Sequence, residues 1–600
     1  MHLSLFAQRD SLSVKTDTIG IKKSSHHYGK VRNLFREMIS NFRRKDTTEV
    51  DHANELRRND EVYKKFEGRI IRNIIIKKIP FGIAFADTTK KFINGLTKVA
   101  NELHHITKTN VIKNNLFFKQ NDSIRPYLMA DNERFLRQLP YLEDAIFTVV
   151  PTSADSVDVT VTVKDVFSIG GAIGSLGLKQ SQVQVRDDNL AGNGDAGLVY
   201  GLYDNQRKGN LALGTEYLKR NIGGSFIDGS LGYQSFYPAF SGPKEENIYY
   251  LDFTKPLINR YMRWTYELSA SYHSTRNRYT SDSIYLSNNR YKYHNIQAWA
   301  GYNLNATDFT NQQEADKLRK LIGIRFINQK FQELPIKYSS VYNWQFADLS
   351  GVLATLTFYR QNFYKTQYIY GFGRNEDIPE GLLFSVTSGY TIKQGKSRPF
   401  LGFNYEKYHF NDKKNYISFT FRGEGFLNKK SIEDINFLGD ISYFDHLKAI
   451  GTRWKQRFFL DLGVAQQVNT VLNEPLFANS TYGLPEYGYN QLGGTLRATV
   501  KAESVFFSPW SVAAFRFAPF VFSNVSVFSP YLSNTKLLTA VGGGIRTRNE
   551  GFTFGTVEIK GFYFPTKNFH NSNYDIEIST NVIFKYNSQF VQKPDFIQVN

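Results

Sequence analysis

More than four hundred residues, from about 166 to 586, pass without one convincing long helix. That stretch limits what the chain can fold into more than any other feature. It consists of strand-length runs in which apolar and polar residues alternate, separated by clusters of Asn, Asp, Gly and Lys. Leu211, Leu213, Thr215 and Tyr217 alternate with Asn210, Ala212, Gly214 and Glu216. Ile417, Phe419 and Phe421 alternate with Ser418, Thr420 and Arg422, and Leu496, Ala498 and Val500 with Arg497, Thr499 and Lys501. Near the end, Ile576, Ile578, Val582 and Phe584 alternate with Glu577, Ser579 and Lys585. One face is apolar or small; the other carries charges of both signs. A soluble sandwich alternates too, but an unbroken array of this length is unusual for one. A closed barrel satisfies every backbone group in lipid and leaves no edge. Eighteen or nineteen segments can be read, and single-chain bacterial barrels use even numbers. The expectation is a mainly β fold, a transmembrane antiparallel β-barrel of about sixteen strands, or eighteen.

Composition supports this reading. A hydrophobic fraction of 41% and a mean hydropathy of -0.40 look soluble. The 15% aromatic content, with Tyr 37 and Phe 50, does not, because aromatics favour strands and the girdles of membrane barrels. No apolar run approaches the roughly 18 residues of a membrane helix, but a barrel needs none. The absence of cysteine excludes disulfides, thiolate metal sites and thiol catalysis. The net charge of +19 fits nucleic acid or a wetted lumen near anionic lipid. No nucleic-acid recognition motif accompanies it, so the second is preferred.

Ahead of the array the chain divides further. Residues 1–7 read as the end of a secretory signal peptide cut after Ala7. Residues 8–65 are basic. Tyr28, Val31, Leu34, Phe35, Met38, Ile39 and Phe42 recur there at helical spacing, which suits a membrane surface or packing on a neighbouring domain. Residues 66–165 read as one small α+β domain. Ile70–Ile79 is a strand, Asn110 and Asp131 are candidate helix caps, and Ala145–Val150 and Val157–Val163 are strands. Residues 81–107 look like an insertion. Residues 587–600, polar and containing Pro594, read as a tail.

The chemistry of common enzymes is missing. The sequence holds no Gly-x-Ser-x-Gly elbow, no His-Glu-x-x-His pair and no Walker loop. His26-His27 and His104-His105 are adjacent doublets, and neighbours on a helix do not share a face. No catalytic, cofactor or metal residue is assigned, and the chain is read as a non-enzyme. The inward charges Arg497, Lys501, Glu503, Arg516 and Arg546 are assigned to the lumen.

Several motifs resemble the BamA/TamA superfamily of outer-membrane assembly proteins, also called the bacterial surface antigen family. Glu67 to Ile74 is similar to the opening strand of its POTRA module, and Asn132 to Arg137 to that module's second helix. Asp188 to Gly194 resembles the turn after its first barrel strand. Gly371 to Gly381, Phe507 to Trp510 and Phe515 to Phe517 resemble a short-armed branch, and Gly542 to Arg546 its third-last strand. The superfamily also carries an Arg-Gly-aromatic motif on a loop folded into the lumen. The matching stretch here is Gly483-Leu484-Pro485-Glu486-Tyr487. Pro485 replaces the arginine and cannot supply a charged fork, so the latch is altered or absent.

The resemblance implies an assembly or translocation factor in the outer membrane of a Gram-negative bacterium, with a single POTRA-like domain in the periplasm. Its mechanism would be a barrel seam that opens sideways, here joining Val183 and Val185 to Ile576, Ile578, Val582 and Phe584. Implied partners are outer-membrane lipid and lipopolysaccharide, unfolded outer-membrane clients, and periplasmic or lipoprotein partners. No cofactor and no nucleic acid are implied. The alternatives are a passive channel of the same architecture, which the altered latch favours, and an outer-membrane hydrolase.

Overall fold

The computed structural model describes residues 56–79, 83–84, 87–91, 105–176, 180–235, 245–306, 317–487, 493–512, 515–531, 533–549, 556–566, 573–579 and 591–600. The expected signal remnant, the expected amphipathic segment to residue 55 and most of the expected 81–107 insertion lie outside these residues.

Among the described residues the small domain is a three-stranded sheet covered by two helices, with the one-turn helix Glu61–Lys64 adding Tyr63 to its core. Ile70–Ile79 runs parallel to Ser156–Asp165, which pairs antiparallel with Leu142–Pro151 on its other side. The alternation read at Val157, Val159, Val161 and Val163 is real: all four are fully buried. Each such side chain contributes about 1.5–3 kcal/mol on burial. They pack with Ile71, Ile112, Phe118, Leu136 and Phe147 into one core.

The helix caps differ from expectation. Asn110 lies inside the short helix Thr109–Asn114, not at its cap. Asp131 sits in the middle of the longer helix, Pro126–Gln138. That helix starts at a proline, whose missing N–H would have no helical partner anyway.

Among the described residues the large sheet holds twenty-four strand segments. Four of them span only two or three residues. The other twenty pair antiparallel, neighbour to neighbour, from Ile169–Leu176 to Tyr574–Ser579. The expected sixteen or eighteen is therefore too low. The sheet is a barrel wall with two faces. Along Arg319–Glu333, Leu321, Arg325 and Ile327 are at most 3% exposed, while Ile322, Ile324 and Phe326 are 45–55% exposed. The second set forms the apolar belt a bilayer requires.

Two further expectations are corrected. Val183 and Val185 do not lie in the first strand. Gln180–Asp187 is bonded on both sides, to Ile169–Leu176 and to Ala196–Asp204, so it cannot be a seam strand. For the same reason the Asp188–Gly194 turn follows the second strand of the barrel, not the first. Ile576 and Ile578 are on the last described strand, with exposed side chains; Val582 and Phe584 lie outside the described residues.

The strands are unequal. Leu349–Thr366 and Glu376–Lys393 each have 18 residues, whereas Asp228–Gln234 and Val557–Tyr563 have 7. The long hairpin projects at one end, and there the small domain docks. We call this the near mouth; the opposite end, carrying residues 469–487, is the far mouth. The strand Arg319–Glu333 covers its neighbour only as far as Tyr359. Part of the remaining edge is taken by Arg57 and Arg58, which pair with Lys365 and Tyr364.

Candidate functional site at the near mouth and lumen

The helix Pro126–Gln138 presents a charged face to the barrel and buries it. Arg137 places Nη2 2.6 Å from Asp377 Oδ1 and Nε 2.9 Å from Oδ2. Both side chains are under 10% exposed. Asn59 donates to the same carboxylate at 2.6 Å. Glu133 accepts from Arg137, Lys365 and the Tyr63 hydroxyl. Asp131 pairs with Arg260 at 3.1 Å, and the Arg134 guanidinium lies 4.1 Å over the Phe363 ring. Fork geometry and full hydrogen bonding are what make buried pairs tolerable. Burial alone would raise the Glu133 carboxyl, but Lys365 and Arg137 beside it hold it below the ordinary glutamate value.

A second clamp lies at the 188–194 turn. Asn189 donates to Thr107 Oγ1 at 2.9 Å and to the His105 carbonyl at 3.1 Å, both in the small domain. Its own carbonyl-type oxygen accepts from Gly194 N–H. Gly192 has φ 75°, and a Cβ there would meet the Ile106 carbonyl at 2.6 Å. Only glycine allows this left-handed turn and this approach.

The separate motifs of the sequence converge at the near mouth. In Gly371–Gly381, Asp377 holds the small domain, while Glu376 accepts backbone N–H groups from Ile369, Tyr370 and Gly371 and folds the loop. Asn375 donates to Asp144 of the small domain at 2.8 Å. Phe372 packs on Phe507, and its carbonyl accepts from Arg516. Arg546 bridges Glu503 and Glu558 and stacks 4.3 Å over Phe520. Spacing alone did not show that these stretches form one assembly.

The described part of the loop, residues 469–487, enters the lumen despite its altered motif. Glu486 and Lys560, each about 5% exposed, are 3.1 Å apart, and Asn524 also donates to Glu486. The Tyr487 ring packs edge-on against Phe564. Gly483 N–H donates to the Ser480 carbonyl and Leu484 N–H to that of Ala478, and Pro485 opens a short 3-10 turn. The loop here contributes the acid and the wall contributes the base. Lys501 donates to the Thr481 carbonyl and Arg497 to that of Phe477, so two of the assigned inward charges hold the same loop. Lys560 had no signal in the sequence beyond its place in an alternating strand.

No protein-family model matches the chain, and comparison with curated proteins finds no match. Solved structures do resemble it. BamA from Haemophilus ducreyi lacking POTRA domains 1-3 is 10% identical over 84% of each chain, with a TM-score of 0.33. CdiB from Acinetobacter baumannii is 11% identical over 92% of this chain and 96% of its own, with a TM-score of 0.36. CdiB from Escherichia coli is 9% identical over the same shares, also at 0.36. Likeness at this level decides neither family nor function.

Proposed function

We propose that the protein is an outer-membrane assembly or translocation factor, acting through a periplasmic client-binding domain and a barrel seam that opens sideways. The observation that carries the reading is the joint geometry of domain and wall. A small α+β domain is pinned by buried ion pairs at the near mouth, where the strands have 18 residues. The fully described strands Asp228–Gln234 and Val557–Tyr563, toward the two ends of the sheet, have only 7. Since a hydrogen bond contributes only about 1 kcal/mol net, short strands at the ends favour opening there. The seam then joins Ile169–Leu176 to the strand that includes Ile576 and Ile578.

The small domain supplies a receiving edge. Among the described residues, Leu142–Pro151 is bonded on one side only, and an extended client segment can add to such an edge. No covalent chemistry is required, and partners would be lipid with lipopolysaccharide and unfolded barrel clients. The passive channel is favoured by Pro485 in place of the latch arginine; the Glu486–Lys560 pair, which keeps the loop inside, weighs against it.

Liposomes carrying the purified protein, given an unfolded outer-membrane client, test the two. Assembly activity yields heat-modifiable, protease-protected client above the empty-liposome rate. Steady conductance with no gain in client folding supports the channel instead.

A further inference from the structure

Residues 591–600, within the stretch 587–600 read from sequence as a polar tail, lie along the inner wall. Val591 packs with Leu257, Tyr359 and Phe363 near the docking hairpin. Asn600 donates to the Pro475 carbonyl and accepts from Phe477 N–H at the root of the lumen loop. Ten extended residues reach at most about 33–36 Å, close to the roughly 30 Å of a hydrocarbon core. The segment therefore crosses the lumen from the near mouth toward the far one.

The wall holds it in the manner of a peptide-binding groove. Three contacts read its backbone. Arg325 donates to the Pro594 carbonyl at 2.7 Å, Glu424 accepts from Ile597 N–H at 2.6 Å, and Arg497 donates to the Val599 carbonyl. Three read its side chains. Asp595 pairs with Arg325 at 2.6 Å, Lys593 pairs with Glu267 at 2.7 Å, and the Phe596 ring sits on Phe400 and Phe426 at 5.1 and 5.9 Å. The groups on the wall are charged and largely buried; Arg325 and Arg497 are at most 2% exposed. Without an occupant, each of these buried charges would lose its contacts to the strap and keep only its wall partners, such as Gln297 for Arg325 and Asn436 for Glu424, a costly change.

We propose that this face of the lumen is a binding groove for extended polypeptide with an acidic residue followed by an aromatic one, and that residues 591–600 fill it in cis as a displaceable strap. A chain that enters the lumen must take the strap's place. The inference holds for an assembly factor and for a channel alike, because it concerns the groove and not the seam.

The first test replaces residues 591–600 by a Gly-Ser stretch of equal length in the full chain and adds a fluorescent synthetic peptide with the Lys593–Asn600 sequence. The replaced protein should conduct several-fold more in planar bilayers. It should bind the peptide where the native chain does not, and close again when the peptide is added. A peptide carrying Phe596→Ala should bind at least roughly tenfold more weakly. Unchanged conductance with no peptide binding overturns the proposal.

Should that variant fail to fold, G323C with P594C keeps the strap intact. A Cβ on Gly323 would lie 3.7 Å from Pro594 Cγ, and the chain has no cysteine to interfere. The oxidised form should lose all spontaneous opening events in bilayer recordings and regain them with reductant. A fully crosslinked protein that opens as often as the native chain overturns the strap.

Discussion

Arg137 of the small domain lays its guanidinium fork on Asp377 of the barrel, with nitrogen–oxygen distances of 2.6 and 2.9 Å. The two residues are 240 positions apart in sequence, and theirs is one of several buried contacts that hold the domain on the barrel. Removing one partner of such a pair leaves a buried charge, at a cost of about 3–5 kcal/mol. R137Q and D377N should each release the helix Pro126–Gln138 from the barrel, seen as faster amide exchange there with no change in the barrel strands. R137K keeps the charge but loses the fork and should fall between them. Unchanged exchange in R137Q would show that the pair does not hold the domain.

The same interface should respond to acid. Lys365 and Arg137 keep the Glu133 carboxyl below its ordinary value against the effect of burial. A group with a lowered pKa in the docked state contributes stability above its free value and loses it as pH falls through the docked one. Asp144, raised by burial, takes up its proton first and favours docking slightly. Docking should therefore hold near pH 5 and weaken steeply below the ordinary glutamate value of 4.5. E133Q should be weaker at neutral pH and much less sensitive to acid. A wild-type interface unaffected between pH 5 and pH 3 would contradict this assignment.

In the lumen, the Glu486–Lys560 pair gives a charge-reversal test. E486K and K560E should each loosen the loop, measured as protease access from the far mouth. Lys560 also pairs with Glu577 at 3.1 Å, so the double reversal should restore protection in part, with a coupling of about 1–3 kcal/mol, typical for contacting residues. Two single variants that simply add would rule out the pair as a latch.

The small domain should fold on its own as residues 56–167. Among the described residues its core draws mainly on its own side chains, with Tyr261 and Phe226 of the barrel packing at its rim. The charged helix face becomes solvent-exposed on excision and keeps the fragment soluble. A dispersed amide spectrum is expected; a collapsed one would place the boundary elsewhere.

How much was legible from sequence follows from the kind of signal each element carries. The Val157–Val163 alternation was readable because a period of two survives wherever one face is buried. Ile169–Leu176 was missed because its four glycine and serine positions, Gly170, Gly171, Gly174 and Ser175, leave too little side chain to set a period. That omission displaced the seam and the first turn together. Asp131 looked like a helix cap, yet its partner Arg260 lies 129 residues away, and no local pattern announces such a pair. Residues 591–600 read as solvated because polarity cannot distinguish bulk water from a wetted lumen. The docking residues Arg137 and Asp377 both fell within quoted motifs, but spacing gave no hint that the two motifs meet.

Under the proposed function, the protein builds or exports other outer-membrane proteins. Depleting it in its host and quantifying isolated outer membranes by mass spectrometry tests this most directly. Assembly activity predicts that other barrel proteins decline together while inner-membrane proteins hold steady, and that D377N fails to rescue them. Full depletion with unchanged amounts of every other barrel protein would contradict it.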